Sequence, residues 1–411
     1  MNNKYFNIKD TLYDITEKYP EAIELLVSVG FDKMKDDNMR KAFGKTISLQ
    51  NALKLKKLNL DTFVSQLIER IENNEDRLNK SSKEKNNTKK YSVEMTGVLP
   101  CPVRVPLTET FEKWLKDKDF NFELNYELKA ASSGVEWIEE ILKEQTEEEL
   151  PDIFISAGFD LFFDKKLFGK YKEKNLFEDI TDLKDYNKDF NNNYIKLKDP
   201  NNQYSVIGVV PAVFMVNEEE LNGRKMPTSW EALLKPEFEN SVSLPIGDFD
   251  LFNAILLNIY KLYGEEGIEK LGKTLQSGMH PSEMVKSHIK SSGKPAVTIM
   301  PYFFTKMARP GGPMTPVWPK DGAVLSPIFM LSKKDKKDIL KPIVDFFASK
   351  EVGQILSHNG KFPSTNPNID NMIPEDNKYM WVGWDYIENN DISALINKCE
   401  TIFDKAVKGE K

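Results

Sequence analysis

Two long segments constrain what this chain can fold into. They are "NQYSVIGVVPAVFMVNEEEL", residues 202–221, and "MTPVWPKDGAVLSPIFMLSKKD", residues 314–335. Both are β-rich, and both separate groups of shorter strand and helix signals. Before the first, Tyr91, Val93 and Met95 alternate, as do Phe120, Phe122, Leu124, Tyr126 and Leu128, at the period of a strand. "PDIFISAG" (151–158) is a short apolar run ending in small residues, as a buried parallel strand does. Helices lie between these runs. One starts at Pro106 and gathers Leu107, Phe111, Trp114 and Leu115 on one face. Another opens with a capping box, Ser133 to Glu136, and buries Trp137, Ile138, Ile141 and Leu142. Between the two long segments the same grammar recurs. "PTSWEALLKPEF" carries the box Thr228 to Glu231, "SVSLPIGDFDLFNAILLNIYKLYG" reads strand, turn, helix, and "KPAVTIMPYFF" ends a strand. After the second, "ILKPIVDFFASKEVGQILSHNG" gives two helices stopped at Gly360. Strand–helix–strand order predicts right-handed crossovers and a parallel sheet, so the class is α/β. The long segments are the two crossings between a pair of α/β lobes.

The front of the chain differs. Residues 1–78 read as a small all-α domain. "KDTLYDITEKY" has Leu12 and Ile15 at helical spacing, with Asp10 or Thr11 as the cap. "PEAIELLVSVGF" begins at Pro20 and stops at Gly30, the proline-first, glycine-after asymmetry of a helix. "SLQNALKLKKL" and "LDTFVSQLIERI" supply two more helices. Residues 79–90, "NKSSKEKNNTKK", contain no apolar side chain and read as a solvated linker. The expected layout is therefore 1–78 helical, 79–90 linker, 91–205 with 326–411 as one lobe, and 206–325 as the other. A net charge of −7 gives no basic signature for nucleic acid and no positive patch for a membrane surface. Cys101 and Cys399 are the only cysteines, which excludes a disulfide framework and a four-cysteine metal cage within one chain. The opening "MNNKYFNIKDTLYDITEKYP" has no apolar region of a secretory signal, and Leu99-Pro100-Cys101 follows no such region, so a cytoplasmic protein is expected.

These blocks resemble a known family. "VVPAVFMVNEEEL", "PTSWEALLKPEFENSVSLP", "VWPKDGAVLSPIFML" and "FFASKEVGQILSHNGKFP" occur in the order and spacing of type II periplasmic solute-binding proteins of ABC importers, nearest the iron-binding branch. The resemblance runs from about residue 91 to 408. It implies two lobes joined by hinge strands, a ligand held in the cleft, and transport rather than catalysis. Separately, "DTLYDITEKYPEAIELLVSVGF" and "ISLQNALKLKKLNLDTFVSQL" resemble a small helical domain of unknown function that precedes di-iron cluster-repair proteins in anaerobes.

In an open parallel sheet, ligands collect where strands end and helices begin. Thr96 and Gly97 allow close approach of backbone amides, and Arg104 offers a fork for a carboxylate or oxyanion. Cys101 is either a cleft-lining thiol or a reactive one. Ser156, Ala157 and Gly158 are small residues at a strand end. Asp248 and Asp250 precede a helix, as N-caps or as contacts for a metal or amine. Tyr302 follows Pro301 at another strand end, where a phenol either hydrogen-bonds a ligand or, ionised, holds ferric iron. Family iron carriers use adjacent tyrosines, and here Phe303 and Phe304 stand beside it. Trp318 walls the cleft or braces the hinge.

Other motifs fail on spacing. "GKT" at 44–46 lacks the strand and the earlier glycine of a phosphate loop. His280, Glu283 and His288 put no two histidines on one helical face, and "RPGGP" has none of the context of a dinucleotide site. No catalytic signature stands out and no cofactor or metal is implied. The expectation is a non-enzymatic binder of a small anionic solute, as sensor, buffer or carrier, with the helical domain as its partner-facing module. An enzyme using Cys101 or a bound metal, and an interaction protein with a vestigial cleft, are the alternatives.

Overall fold

The computed structural model describes residues 5–28, 31–56, positions 60, 63, 64, 67, 68, 70 and 71, and then 92–131, 134–246, 249–278, 293–308 and 311–409. Ser133, Asp248, the 79–90 linker, Gly30 and the His280–Glu283–His288 set lie outside the described residues. The chain forms two compact units. One holds the described residues before Ser92 with Pro100–Arg104 and the stretch from Lys129 to Gly134, and the other holds the rest.

In the first unit, Leu12–Lys18 (α1), Glu21–Ser28 (α2), Asp37–Gly44 (α3) and Leu49–Leu55 (α4) are helices, and the described positions between 60 and 71 are helical too. Thr11 takes the cap of α1, accepting from the Asp14 amide at 3.1 Å, and Asp36 and Ser48 cap α3 and α4. Each cap satisfies a donor that a helix start leaves unpaired, worth about 1 kcal/mol. Leu12, Ile15, Leu26, Leu49, Leu53, Phe63 and Leu67 form the core. The Pro100 carbonyl accepts from the amides of Val103 and Arg104, both at 3.0 Å. The helix Cys101–Lys116 (α5) therefore starts earlier than its spacing predicts, and Pro106 lies inside it rather than opening it. First-turn amides have no intrahelical acceptor, so Pro102 costs nothing there, and only Pro106 forfeits a bond.

The second unit is a sheet flanked by helices. Its strands are Ser92–Leu99 (β1), Glu123–Ala130 (β2), Ile153–Ala157 (β3), Ser205–Asn217 (β4), Val242–Leu244 (β5), Leu275–Gly278 (β6), Val297–Pro301 (β7), Met314–Val317 (β8), Ala323–Ser332 (β9) and Tyr379–Met380 (β10). Its helices are Glu136–Glu144 (α6), Phe159–Phe163 (α7), Gly169–Glu173 (α8), Trp230–Leu233 (α9), Phe249–Thr274 (α10), Lys337–Phe347 (α11), Lys350–Gln354 (α12), Trp384–Asn389 (α13) and Ile392–Lys408 (α14). The strand order is β2-β1-β3-β9-β4-β7-β5-β6, with β8 paired to β4 and β10 to β9. β1 and β3 pair parallel, as do β5 with β7 and β5 with β6. The sheet is nevertheless mixed rather than all parallel, because β9 and β4 run antiparallel to each other, β9 antiparallel to β3, and β4 antiparallel to β7. The crossings are the reason: a chain that leaves one lobe and returns must travel in both directions.

This is a two-lobed α/β fold with hinge strands, and β4 is its clearest element. One edge of β4 pairs with β9 from Ser205 to Ala212. On its other edge, residues 206–209 meet a strap at 363–365: the Val209 amide donates to the Pro363 carbonyl at 3.0 Å, and Gly208 bridges Ser364. From Ala212 onward that edge belongs to β7. The hand-over falls at Val210 and Pro211, and a proline has no amide to leave unpaired there.

The core is largely apolar. Every residue of β9 is buried. Around it Phe162, Tyr204, Phe329 and Trp384 pack with ring centroids 4.8–6.3 Å apart. Each such side chain contributes about 1.5–3 kcal/mol by leaving water. Their polar ends are satisfied, since the Tyr204 hydroxyl donates to the Phe162 carbonyl at 3.0 Å and the Trp384 indole to that of Leu197 at 2.8 Å. α14 lies along α10, with Phe403 at 5.2 Å from Phe252 and Gly272 too close to Phe403 and Ala406 to admit a Cβ. Ser229, not Thr228, caps α9 by accepting from Ala232 at 3.0 Å. Asp321, from the second crossing, adds to it by accepting from the Trp230 amide at 2.8 Å and the Glu231 amide at 3.3 Å. A long-range acceptor of this kind leaves no local sequence signal. Among the described residues no helix is long and apolar enough to cross a membrane.

Gly322 starts β9 with φ +124°, and a Cβ there would come within 2.7 Å of the Tyr379 backbone. Gly322→Ala is expected to cost about 1–3 kcal/mol through strain and displacement of β10. A urea or thermal melt that leaves stability unchanged would contradict this account of the hinge.

Candidate functional site

Thr96 and Gly97 sit inside β1, buried, in register with Phe154 and Ile155. A Cβ on Gly97 would lie 2.5 Å from the Ile155 carbonyl, so the close approach that this glycine permits is strand against strand. Cys101 is half-buried in the first turn of α5 and Arg104 is buried one turn on. Both belong to the first compact unit. The second cysteine, Cys399, lies in α14, where burial pushes its thiol up to about 12, far from thiolate chemistry at neutral pH.

The remaining predicted residues form two clusters in the second unit. In the first, β3 ends at Ser156 and Ala157, and Gly158 turns the chain with φ +123° into α7. The Ser156 hydroxyl donates to the Ala157 carbonyl at 2.9 Å. A Cβ on Gly158 would come 2.6 Å from Asp250 Oδ1, so two loops far apart in sequence meet. Asp160 and Asn253 reinforce the contact: Asn253 Nδ2 donates to Asp160 Oδ1 at 2.7 Å, while Asn253 Oδ1 is buried without a hydrogen-bond partner among the described residues. Burial is the main cause that holds the Asp160 carboxyl above its ordinary range, with the Asn253 hydrogen bond opposing it.

The second cluster lies at the hand-over on β4. Tyr302 follows Pro301, the residue of β7 that pairs with Ala212. Its ring stands edge-on to Trp318 with centroids 5.2 Å apart, and Trp318 is in turn edge-on to Tyr379 at 5.3 Å. The Trp318 indole donates to the Lys378 carbonyl at 2.6 Å, which fixes its plane. Lys361, just before the strap, carries its ammonium 4.4 Å from the centre of the Tyr302 ring and donates to Thr305 Oγ1 at 3.1 Å. Burial, with the charge of Lys306 adding, lowers the affinity of Lys361 for its proton, and burial raises that of the Tyr302 phenol. The Tyr379 hydroxyl is buried with no hydrogen-bond partner among the described residues. Two residues on, Trp381 lies tilted against Phe159 with centroids 5.6 Å apart, so the segment from Tyr379 to Trp381 touches both clusters.

The structure thus brings Gly158 to Asp250 and Tyr302 to Trp318. Lys361, Tyr379, Asp160 and Asn253 join these pairs without any signal that sequence reading used. Lys361 stands in "HNGKFP", where the glycine reads as a helix stop, and Tyr379 reaches Trp318 through the pairing of β10 with Ala323. Among the described residues no group of three or more His, Cys, Asp or Glu side chains could hold a metal ion.

A carboxyl raised in the folded state binds its proton more tightly there than in the unfolded chain. Its contribution is therefore favourable below the ordinary value of 3.8 and is lost as pH rises through the folded-state value. Asp160→Asn, which keeps an acceptor for Asn253, is expected to be more stable than the parent at neutral pH, with the two melting curves converging near about pH 4. Parallel melts across that range check the sign.

Comparison with known proteins follows the same lines. A family model of bacterial extracellular solute-binding proteins matches residues 148–390, and a model of a domain of unknown function matches residues 6–64. A search of the curated proteins gives no match. Among solved structures, the chain is similar to the periplasmic binding protein AfuA from Actinobacillus pleuropneumoniae with exogenous fructose-6-phosphate bound. There the identity is 17% and the TM-score 0.54, over 77% of this chain and 99% of that one. It is also similar to a ferric binding protein from Campylobacter jejuni, at 13% identity and TM-score 0.53, over 76% and 99% of the two chains. A ferric iron-binding protein A from Mannheimia haemolytica, in an open conformation, gives 12% identity and TM-score 0.53 over 77% and 98%. At these identities the likeness is one of fold.

Proposed function

Since the chain belongs to the family of bacterial extracellular solute-binding proteins, we propose that it captures one small anionic solute between its lobes and performs no chemistry on it. The observation that carries this reading is the meeting, beside β4, of side chains from segments far apart in sequence. Tyr302 and Trp318 arrive from the side of β7 and β8, while Lys361 and Tyr379 arrive from the strap and β10. A ligand touching all four favours the arrangement that brings them together, and it shifts the hinge only by its differential affinity for that arrangement. The relatives bear on the ligand from two directions, since one holds a sugar phosphate and others are named for ferric iron. The cation beside Tyr302 supports an anionic solute here.

Two further parts of the reading concern place and partner. Capture in the cytoplasm, as sensor, buffer or carrier, is proposed alongside it, and cell fractionation with an antibody to the chain tests that part alone. The helical unit is proposed as the partner-facing module. Its match to a domain of unknown function leaves its role to be found by crosslinking from Met39 or Leu55, its exposed apolar residues.

Native mass spectrometry of gently purified protein is expected to reveal one small organic molecule per chain. Restoring it to stripped protein should raise stability by about 2.7 kcal/mol at a hundredfold excess over Kd. Cys101→Ala should leave affinity unchanged. Turnover of a solute that disappears in Cys101→Ala would replace the binder by an enzyme.

A further inference from the structure

At the hand-over on β4, Lys361 lies over Tyr302, and Trp318 packs against both Tyr302 and Tyr379. Lys361 sits in the left-handed region at φ +50°, one residue beyond a π-type turn at Ile355–Asn359. Wide turns of this kind recur at functional sites. The backbone thus holds the lysine where its ammonium lies over Tyr302, and its one hydrogen bond among the described residues goes to Thr305. No carboxylate lies within ion-pair distance of it among the described residues. Its charged neighbour is instead Lys306, whose ammonium donates to the Asn359 carbonyl at 2.6 Å. A half-buried ammonium without a carboxylate beside it is unfavourable until an anion joins it. The hydroxyl of Tyr379 is a second unmatched group, buried and unbonded among the described residues, on a ring that packs against Trp318.

We propose that this cluster is the specificity subsite for an organic oxyanion: Lys361 takes the phosphate or carboxylate group, and Tyr302, Trp318 and Tyr379 wall the carbon body. The assignment rests on the solute-binding reading above and narrows its ligand from any anion to one with a substantial organic part. It also sets the site apart from one for a bare ferric ion. A metal cation would meet the Lys361 ammonium, and a phenol raised by burial is a poor phenolate donor. The rings are suited to the CH-rich or flat face of a small molecule, and the Tyr379 hydroxyl to one of its polar groups.

The test is isothermal titration of the full chain with a hexose 6-phosphate, citrate, an aromatic carboxylate, inorganic phosphate and ferric nitrilotriacetate. At least one organic anion is expected to bind, and to bind more tightly than inorganic phosphate. Lys361→Met should then weaken that anion roughly tenfold to a hundredfold, the loss of a charge-assisted contact, while Lys361→Arg restores most of the affinity. Tyr379→Phe should weaken it while leaving the melting temperature of the free protein unchanged or higher. A lysine that only braces Tyr302 would instead lower the melting temperature in Lys361→Met and leave affinity alone. An organic anion bound equally by wild type and Lys361→Met overturns the subsite but not the binder. Iron bound with a phenolate-to-metal absorption band, or inorganic phosphate bound as tightly as every organic anion, overturns the ligand class. Failure of all five probes to bind overturns both.

Discussion

The antiparallel pairing of β4 with β9 is the constraint on which the rest of the second unit depends. It runs from Ser205 opposite Met330 to Ala212 opposite Val324, with a single irregularity between Val206 and Gly208. These two strands carry the chain out of one lobe and back again, so no residue beyond them is placed independently of their register. A slip of one residue would send every side chain of β9 to the opposite face, and both faces are packed because every residue of the strand is buried. The irregularity is itself used. A Cβ on Gly208 would lie 3.2 Å from the Pro363 carbonyl, tighter than an ordinary contact, so the strap fits best there against a glycine. That close fit fixes where the strap begins, and hence where Lys361 stands.

Polar groups secure the same region at both ends. Asp321 reaches from the second crossing to the start of α9, and burial holds its carboxyl above the ordinary range despite the amides it accepts from. The Trp230 indole answers by donating to the Gly322 carbonyl at 2.9 Å. At the other end, Asp152 accepts from the Glu94 amide at 3.1 Å and from Lys336 at 2.7 Å, tying β1 to the chain that leaves β9. Breaking either link would leave a buried polar group unmatched, which costs more than the bond itself contributes. The lobes are thus anchored to the hinge strands by specific contacts, while the edge of β4 at Val210 and Pro211 is left to side chains.

Sequence reading recovered what periodicity and local capping encode. The two crossings were legible because β4 and β9 are long apolar runs, and the cap of α1 because Thr11 is three residues from the amide it accepts. Local rules misplaced the start of α5, since Pro100 can begin a helix from outside it and Pro106 is tolerated inside. They misplaced the cap of α9 by one residue, and Asp321 was invisible because its partners are remote in sequence. The all-parallel sheet failed for a related reason: strand order follows from local grammar, but strand direction at a hinge follows from the return path. At the candidate site, Tyr302 was legible as a strand-end residue and Trp318 as part of the second crossing. Lys361 and Tyr379 were not, because only strand register brings them there.

The position of the second cluster bears on how such a molecule responds to its solute. Tyr302 and Trp318 hang from the ends of β7 and β8, both paired to β4 beyond Ala212. Lys361 and Tyr379 hang from the strap and β10, paired to β4 before Val210 and to β9 at Ala323. A twist of β4 at Val210 and Pro211 therefore moves Lys361 relative to Tyr302 and Trp318, while Tyr379, whose strand pairs with β9 level with Ala212, stays with them, and any molecule that bridges Lys361 and these rings resists that twist. Recognition and hinge motion then share one coordinate.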